Sequence, residues 1–361
     1  MKKLLDVNLD KRVYGLDVFR AIAILIVVRA HGREISGPIF DFINIPMIDG
    51  VELFFVLSGF LIGSIFIKML ESQEGLSFSS LFQFWKRRWF RTLPNYFLIL
   101  LTVYLLVRFG LTGGKLEGYS YKFIFFIHNF HEGFHDFFWE SWSLSIEEWF
   151  YIFFPFLTFL LLYFYPKRKA LLISIITLIV VPLLYRIAIS DMQVVHSTWD
   201  IHFRKVVLTR LDTIIYGVLA AYIKFYYSDF WSKSKNWMFI IGLILLYGNR
   251  LLPKDINGFY AKTFFFNVSS IGGALLLAKA DSIKNFKYPW FGRSITFISL
   301  ISYSMYLINL SVVALVLKTN LSPESNLEFG FVYILYWAIT IVVSALLYKF
   351  FEKPIMNLRD R

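Results

Sequence analysis

The sequence predicts an all-α, polytopic membrane protein with about ten transmembrane helices and one short interfacial or re-entrant helix. Of the 361 residues, 57% are hydrophobic and only 17% are charged, whereas a typical soluble domain is roughly 45–50% apolar and about 25% charged. Aromatic residues make up 20% of the chain, as expected where many helix ends lie at a lipid–water interface. This composition excludes an ordinary soluble globule, a disordered chain and a nucleic-acid-binding domain.

Ten apolar windows are candidates to cross the hydrocarbon, which takes about 20 mostly apolar residues per helix. They lie at 16–31, 48–70, 89–109, 142–165, 170–189, 207–226, 237–250, 263–280, 295–317 and 329–350. An eleventh apolar run, 121–130, is too short to cross and is predicted to lie in the interface or to re-enter. No repeat and no long linker separates the windows, so we expect residues 1–361 to form one membrane-embedded domain with no appended soluble domain.

The basic residues favour a cell (inner or plasma) membrane protein with both termini in the cytoplasm. With ten spans, the clusters at 86–91 and 167–169 fall in cytoplasmic connections, as the positive-inside rule requires. The formal net charge of +12 is then explained by topology, and the lipid bilayer rather than nucleic acid is the expected partner. The absence of cysteine excludes disulfides, thiolate metal sites and a cysteine acyl-enzyme.

The first span contains charges that a simple membrane anchor would not carry. A cation at membrane depth costs about 2.5–3.5 kcal/mol on insertion scales, so Arg20 is expected to face a cavity or a partner. Asp17, three residues earlier, could pair with it. At 100° per residue, Arg20 and His31 lie on one face of the helix, roughly 16 Å apart. The alternatives are that Arg20 anchors the helix at the interface and that His31 is a hydrogen-bonded helix end.

Three carboxylates are predicted near the depth of His31. Glu52 begins the second span, and Glu147 and Glu148 begin the fourth. A carboxylate beside an imidazole holds its tautomer and stabilises the imidazolium, which is what general-base catalysis needs. We therefore predict His31 as a catalytic base that Glu147 or Glu52 orients. In the alternative interpretation, Glu147 and Glu148 cap the start of their helix, where carboxylates meet the positive end of the helix dipole.

Further polar residues have two interpretations each. A basic cluster at the start of the third span could clamp phosphates bidentately or anchor the helix; it comprises Lys86, Arg87, Arg88 and Arg91. Glu148, Arg210 and Asp212 are predicted to be either contacts for the acceptor or structural residues, and the structural alternative for Arg210 and Asp212 is a pair near one end of the sixth span. Ser58 could be an acylated nucleophile, although a hydroxyl in a small-residue step is more typical of helix packing.

One short motif is interpreted as a decoy. His131, Glu132 and His135 match the zinc-protease pattern, and His128 adds an imidazole on the same face if the segment is helical. Gly133 disfavours a helix within the motif. We therefore predict no metal site, and interpret the segment as a wet loop flanking a substrate entrance.

The chain resembles the acyltransferase family 3 membrane proteins, which O-acylate surface polysaccharides and related acceptors. The resemblance covers almost the whole chain and depends on an ordered set of motifs: GLDVFRAIAILIVVRAH with Arg20 and His31, then GVELFFVLSGFLIG, RRWFRTLP, WSLSIEEWFYIFFP, TRLDTIIYGVLAA, ISYSMYLINL and FEKP. Two positions depart from the family pattern, since Glu52 replaces a common Asp and Asn309 a common His. The role of Asn309 is therefore open.

The resemblance implies a bacterial membrane O-acyltransferase. It moves an acyl group, expected to be acetyl, from cytoplasmic acyl-CoA to a hydroxyl of a cell-surface or lipid-linked saccharide. Acyl-CoA (acetyl-CoA) is then a co-substrate, and no permanently bound cofactor is expected. Arg20, Arg87, Arg88 and Arg91 would contact the donor phosphates, and His31 would deprotonate the acceptor. The alternative is a polysaccharide or small-molecule transporter, which would also bury charges at membrane depth. The oligomeric state is open.

Overall fold

The computed structural model describes residues 12–37, 48–73, 75–133, 137–252, 255–286 and 288–358, and this part of the chain contains helices but no strand. Each predicted window falls mainly on one long helix. These helices are α1 (Tyr14–His31), α2 (Gly50–Glu71), α3 (Phe78–Arg108), α4 (Ser141–Leu161), α5 (Lys167–Ala188), α6 (Val207–Tyr226), α7 (Ser228–Leu251), α8 (Phe265–Ser282), α9 (Pro289–Ile308) and α10 (Asn326–Leu347).

Shorter helical pieces connect or extend the long helices. They comprise α-helical turns at Arg33–Ser36, His196–Trp199, Phe259–Lys262, Leu315–Asn320 and Lys353–Leu358, 3₁₀ turns at Leu116–Gly118 and Tyr121–Phe123, and π-helical segments at Asp200–Arg204, Asn309–Ala314 and Tyr348–Glu352. The π segment Asn309–Ala314 directly continues α9, so the direction of its side chains changes at Asn309.

Six helices of the described chain are long and apolar enough to cross a membrane: α2, α3, α4, α5, α9 with its continuation to Asn320, and α10 with its continuation to Leu358. A seventh results if His196–Arg204 and α6, which meet at 62°, form one broken span. These helices support a multi-pass membrane protein, but the predicted count of about ten spans is not confirmed. Helix α1 is outside the six because its 18 residues contain Asp17, Arg20 and Arg29.

The short apolar run at 121–130 contains no helix beyond the single 3₁₀ turn Tyr121–Phe123. Its backbone is held from two sides, because Tyr96 of α3 donates to the Phe123 carbonyl at 2.8 Å and Trp149 of α4 donates to the Phe126 carbonyl at 2.9 Å. The prediction that this run does not cross agrees with the structure, but the predicted short helix is reduced to one turn. Side chains from neighbouring helices satisfy its carbonyls instead.

Close helix crossings depend on glycine. A Cβ atom on Gly59 of α2 would lie 1.9 Å from the carbonyl oxygen of Ile214 in α6, and one on Gly217 would lie 2.0 Å from that of Val56. Small residues let helix backbones approach in this way in membrane proteins. The α2–α6 pair is consequently among the most extensive in the fold, and it places the start of α2 beside the start of α6.

Helix α1 packs against α2, α8, α9 and the Asn309–Ala314 segment. Asp17 joins it to α9, because Ser299 donates to the Asp17 carboxylate at 2.8 Å. The same carboxylate accepts from Arg12 Nε at 2.8 Å. The predicted pairing of Asp17 with Arg20 is therefore wrong: the carboxylate is already occupied by Arg12 and by hydroxyls of α9.

Candidate active site

Two cavities lie on either side of the first turn of α2. The arginine cavity, of about 110 Å³, is narrow and is lined by Arg20, Arg88, Arg91, Ser58, Glu147 and Tyr151 among mostly apolar side chains. The histidine cavity, of about 460 Å³, is wider and more polar, and its walls include His31, Asp49, Glu52, Trp199 and Arg204. Val51 contributes to the walls of both cavities. Arg20 and His31 therefore belong to neighbouring cavities rather than to one continuous space.

Two cations of the arginine cavity, Arg20 and Arg91, are distinguished by their lack of anionic partners. Among the described residues, no carboxylate lies within 4 Å of either guanidinium, and neither makes a hydrogen bond to another side chain. Both line the cavity, together with Arg88, whose guanidinium lies 5.7 Å from the Phe84 ring centre. Arg87, by contrast, is exposed and is not part of the cavity wall. The structure thus brings together three of the four arginines predicted to contact a donor.

A chain of three polar side chains also lies in the arginine cavity. Tyr151 donates to the Glu147 carboxylate at 2.6 Å, and the hydroxyls of Ser58 and Tyr151 are 3.1 Å apart. A phenol has one proton, which Tyr151 gives to Glu147, so Ser58 must be the donor to Tyr151. Sequence reasoning missed Tyr151, although its position four residues after Glu147 on a helix was a usable signal.

His31 is oriented by an amide rather than by a carboxylate. Its Nδ1 lies 2.5 Å from Oδ1 of Asn309. The amide nitrogen of Asn309 is 2.9 Å from the Met305 carbonyl and 2.7 Å from the Tyr306 carbonyl. Because both of these neighbours only accept, the NH₂ group must point to them and Oδ1 must face His31. We therefore assign the proton of His31 to Nδ1, which leaves Nε2 with the free lone pair of a base.

The predicted orienting carboxylates have other partners. Glu52 lines the histidine cavity, but its Oε1 accepts a hydrogen bond from buried Arg210. Glu147 lies in the arginine cavity, bonded to Tyr151. The prediction that Glu147 or Glu52 holds the imidazole is thus corrected, because Asn309 already occupies Nδ1. The departure from the family pattern at Asn309 was the signal that could have revealed this contact.

The remaining predicted site residues belong to the bundle interior. Arg210 is fully buried, bonds to Thr213 as well as to Glu52, and lies 4.0 Å from the Phe266 ring centre. Asp212 does not pair with Arg210; it accepts from Arg186 at 2.6 Å and from Asn267 at 3.0 Å.

Glu148 is buried too and accepts from Thr92 at 2.7 Å. These contacts give Glu148, Arg210 and Asp212 a structural role, but not in the predicted form. Arg210 and Asp212 do not pair with each other, and Glu148 does not cap α4, which begins at Ser141 with no acidic residue in its first turn. None of the three lines the arginine cavity. Arg186, fully buried on α5, was missed because nothing in its local sequence marks its partner on α6.

Asp49 provides a negative charge at the edge of the histidine cavity, just before α2. Its Oδ1 accepts from the backbone of Val51 at 2.9 Å, and its Oδ2 accepts from Arg204 at 2.6 Å. Burial by itself would raise the pKa of Asp49, but Arg204 and the Val51 N–H outweigh it and hold the pKa below its ordinary value. Asp49 is therefore ionised near neutral pH, and Arg204 is a neutralised cation.

Of the histidine-rich segment, the structure describes His128, His131 and Glu132. His128 Nε2 lies 2.9 Å from the Ser141 hydroxyl, and its ring stacks on Phe123 with centres 4.1 Å apart. His131 is exposed, and Glu132 accepts from Lys122 at 3.0 Å. His135 lies outside the described residues. Within the described chain no three possible metal ligands converge. The contact of His128 with Ser141 joins the loop to the start of α4.

Comparison with known proteins agrees with the resemblance seen in the motifs. The family model described as an acyltransferase domain matches residues 13–349. A Staphylococcus aureus (strain COL) protein named "Putative O-acetyltransferase" is 26% identical over 374 residues, which cover 94% of this chain and 56% of the relative. The O-acetyltransferase OatA of Staphylococcus aureus (strain NCTC 8325 / PS 47) is 26% identical over 390 residues, 98% of this chain and 59% of OatA.

The chain thus spans a little over half the length of these two relatives. No solved structure matches it.

Proposed function

Because this chain belongs to the acyltransferase family whose model matches residues 13–349, we propose that it transfers an acetyl group from acetyl-CoA to a saccharide hydroxyl. The names of its bacterial relatives support O-acetyl transfer as the reaction. The acyl-CoA donor and the saccharide acceptor are proposals that depend on the chemistry of the two cavities.

The donor is proposed to enter the arginine cavity. Arg20 and Arg91 are cations without an anionic partner among the described residues, in a protein whose buried Arg186 and Arg210 are paired. Such groups suit phosphates, to which guanidinium binds bidentately. The narrow, mostly apolar remainder of the cavity suits an extended pantetheine chain with a small acyl group. This contrast between unpaired and paired arginines is the observation that carries the proposal.

The acceptor is proposed to occupy the wider histidine cavity, where Nε2 of His31 has a free lone pair. His31 takes the proton of the acceptor hydroxyl, and the oxygen attacks the thioester carbonyl carbon. The C–O bond forms, the C–S bond breaks, and the leaving thiolate takes up the proton to give free CoA and an O-acetyl ester. Val51, which borders both cavities, marks where the thioester and the hydroxyl would meet. Donor entry from the cytoplasm and acceptor entry from the opposite side belong to the same proposal.

The test is acetyl transfer by the purified chain with isotope-labelled acetyl-CoA and a saccharide acceptor. We expect His31→Ala to lose about 10²–10⁴-fold in kcat, the usual contribution of general-base catalysis, with little change in the KM for the donor. The control is Arg108→Ala, which removes an exposed cation from the far end of α3. Normal transfer by His31→Ala would overturn the role of the base.

Two outcomes would redirect the proposal. Saccharide export that persists without any acyl donor would favour the transporter. A covalent acetyl group that survives removal of the donor and disappears in Ser58→Ala would replace direct attack by a two-step transfer through the Ser58 hydroxyl, which Tyr151 and Glu147 could help to deprotonate.

A further inference from the structure

A buried carboxylate behind Asn309 takes no part in the mechanism described so far. Glu140 lies directly before α4 and is 1% exposed. Its Oε1 accepts from the backbone nitrogens of Leu310 at 3.0 Å and Ser311 at 2.8 Å. Its Oε2 accepts from the Ser311 hydroxyl. All three donors belong to the π-helical segment Asn309–Ala314.

These bonds occur where the α-helical pattern of α9 is interrupted. A helix interruption leaves backbone N–H groups without their usual carbonyl, and a buried N–H without an acceptor costs about 1–3 kcal/mol. Glu140 accepts from two successive backbone N–H groups at this interruption. The backbone of residues 310 and 311 is thereby fastened to the start of α4, directly after the residue whose side chain contacts His31.

We propose that Glu140 is a positioning residue, which holds the helix interruption in the geometry that aims the Asn309 amide at His31. The contact between His31 and Asn309 joins side chains of α1 and of the segment after α9, so its 2.5 Å distance requires the position of residue 309 to be held. The role of His31 as the base rests on the proposed function, whereas the control of its tautomer by Glu140 can be tested without it.

The chemistry of the site favours a carboxylate at this position. Three donors converge on the two oxygens of Glu140. An ionised carboxylate suits this position because both of its oxygens accept hydrogen bonds and neither donates. A glutamine would either direct its NH₂ group at a backbone N–H, which also donates, or reverse the bond with Ser311 so that the hydroxyl accepts. Among the described residues no lysine, arginine or histidine lies within 4 Å of the Glu140 carboxylate, and the titratable Tyr306 donates to the Glu140 backbone carbonyl at 3.2 Å.

Two opposing influences set the titration of Glu140. Burial raises its pKa to about 7, although the bonds from Ser311 and Leu310 favour the ionised form. Protonation would place a hydrogen on an oxygen that already faces a donor. The charged groups near the imidazole itself are Asp49, Arg204 and Lys205, and Asp49 and Arg204 neutralise each other.

The experiment compares Glu140→Gln with Glu352→Gln. Glu352 is a matched control, because it is also buried, at 5% exposure, and accepts from Asn95 at 3.0 Å and Ser304 at 2.8 Å beside another π segment. It makes no hydrogen bond to residues 309–314. Selective ¹⁵N labelling of the 6 histidines reports the tautomer of His31, whose signal is assigned by its loss in His31→Gln.

We expect wild type and Glu352→Gln to show His31 as the Nδ1–H tautomer, and Glu140→Gln to show a mixture of tautomers. Its kcat should fall about tenfold, part of the general-base contribution of 10²–10⁴, at an unchanged KM for acetyl-CoA. A folded Glu140→Gln with the wild-type tautomer and kcat would overturn the proposal.

Ser311→Ala keeps the test decisive if Glu140→Gln does not fold. It removes the bond to Oε2 and leaves both backbone bonds in place, so we expect a smaller tautomer shift in the same direction, and no shift would contradict the proposal. If acetyl transfer is absent in every variant while the tautomer responds, the proposed function fails and the positioning role of Glu140 stands.

Discussion

The arginines that line the arginine cavity differ in their partners from those in the core between α5 and α6. They differ in burial too, because Arg186 and Arg210 are fully buried whereas Arg20 and Arg91 are half-buried. Arg186 and Arg210 each have a carboxylate, Asp212 and Glu52 respectively. Arg20 and Arg91 line the arginine cavity with no carboxylate within 4 Å among the described residues. A cation at membrane depth is therefore not evidence of function by itself. The state of its pairing separates a structural arginine from one available to a ligand, and four predictions test this distinction.

The largest effect is expected from breaking a paired arginine. Arg186→Ala leaves Asp212 as an uncompensated buried charge, which costs about 3–5 kcal/mol. We expect a clear fall in the thermal unfolding temperature of the purified protein. The double variant Arg186→Leu/Asp212→Leu should recover much of that loss, since it removes both charges. If Arg186→Ala is as stable as wild type, the distinction between paired and unpaired arginines is contradicted.

Removing an unpaired arginine should have the opposite profile. Arg20→Ala and Arg91→Ala are each expected to raise the KM for acetyl-CoA about tenfold or more, because a charge-assisted hydrogen bond contributes about 1.5–3 kcal/mol. The unfolding temperature should stay close to that of wild type, as no carboxylate loses its partner. Steady-state kinetics together with thermal unfolding separates the two effects. A fall in stability without a change in KM would show that Arg20 and Arg91 are structural arginines, as Arg186 is.

The same distinction applies to carboxylates and predicts opposite pH dependence. The pKa of Glu140, which has no cation within 4 Å among the described residues, is raised by burial from 4.5 to about 7, so its contribution to stability is complete below pH 4.5 and is lost as the pH rises through 7. The pKa of Asp49, paired with Arg204, is lowered from 3.8, so its contribution is complete above that pH and is lost only as the pH falls below it.

Unfolding free energy measured between about pH 2 and about pH 8 checks both signs. Glu140→Gln should flatten the decline between pH 4.5 and 7, whereas Asp49→Asn should leave it unchanged. If the unfolding free energy of Glu140→Gln still declines over this pH range, another titrating group must cause the decline.

The smallest effect is expected at Arg87, which the sequence analysis grouped with the donor-binding arginines. Its side chain is exposed and lies outside the cavity wall. We expect Arg87→Ala to leave the KM for acetyl-CoA unchanged and to alter stability by no more than about 0.5 kcal/mol. A donor KM raised as far as in Arg91→Ala would show that exposure does not separate these neighbours.

The sequence predicted the positions of the helices better than the number that cross. Apolar windows mark helices because burial in lipid or in a bundle requires a continuous apolar stretch. Helix α1 was predicted to cross, yet three charges in 18 residues keep it outside the clear spans. Its environment depends on the helices around it, which its own composition does not describe.

The sequence by itself determined that Arg20 and His31 lie on one helix, about three turns apart, and that Arg88 and Arg91 lie on another. These facts follow from a helical repeat that is local in the chain. Only the tertiary structure decided that Asn309 rather than Glu147 contacts His31, across 278 positions of sequence, and that Arg210 pairs with Glu52 across 158. Such pairs depend on how separate helices cross and where a π segment turns a side chain, and no local pattern encodes either.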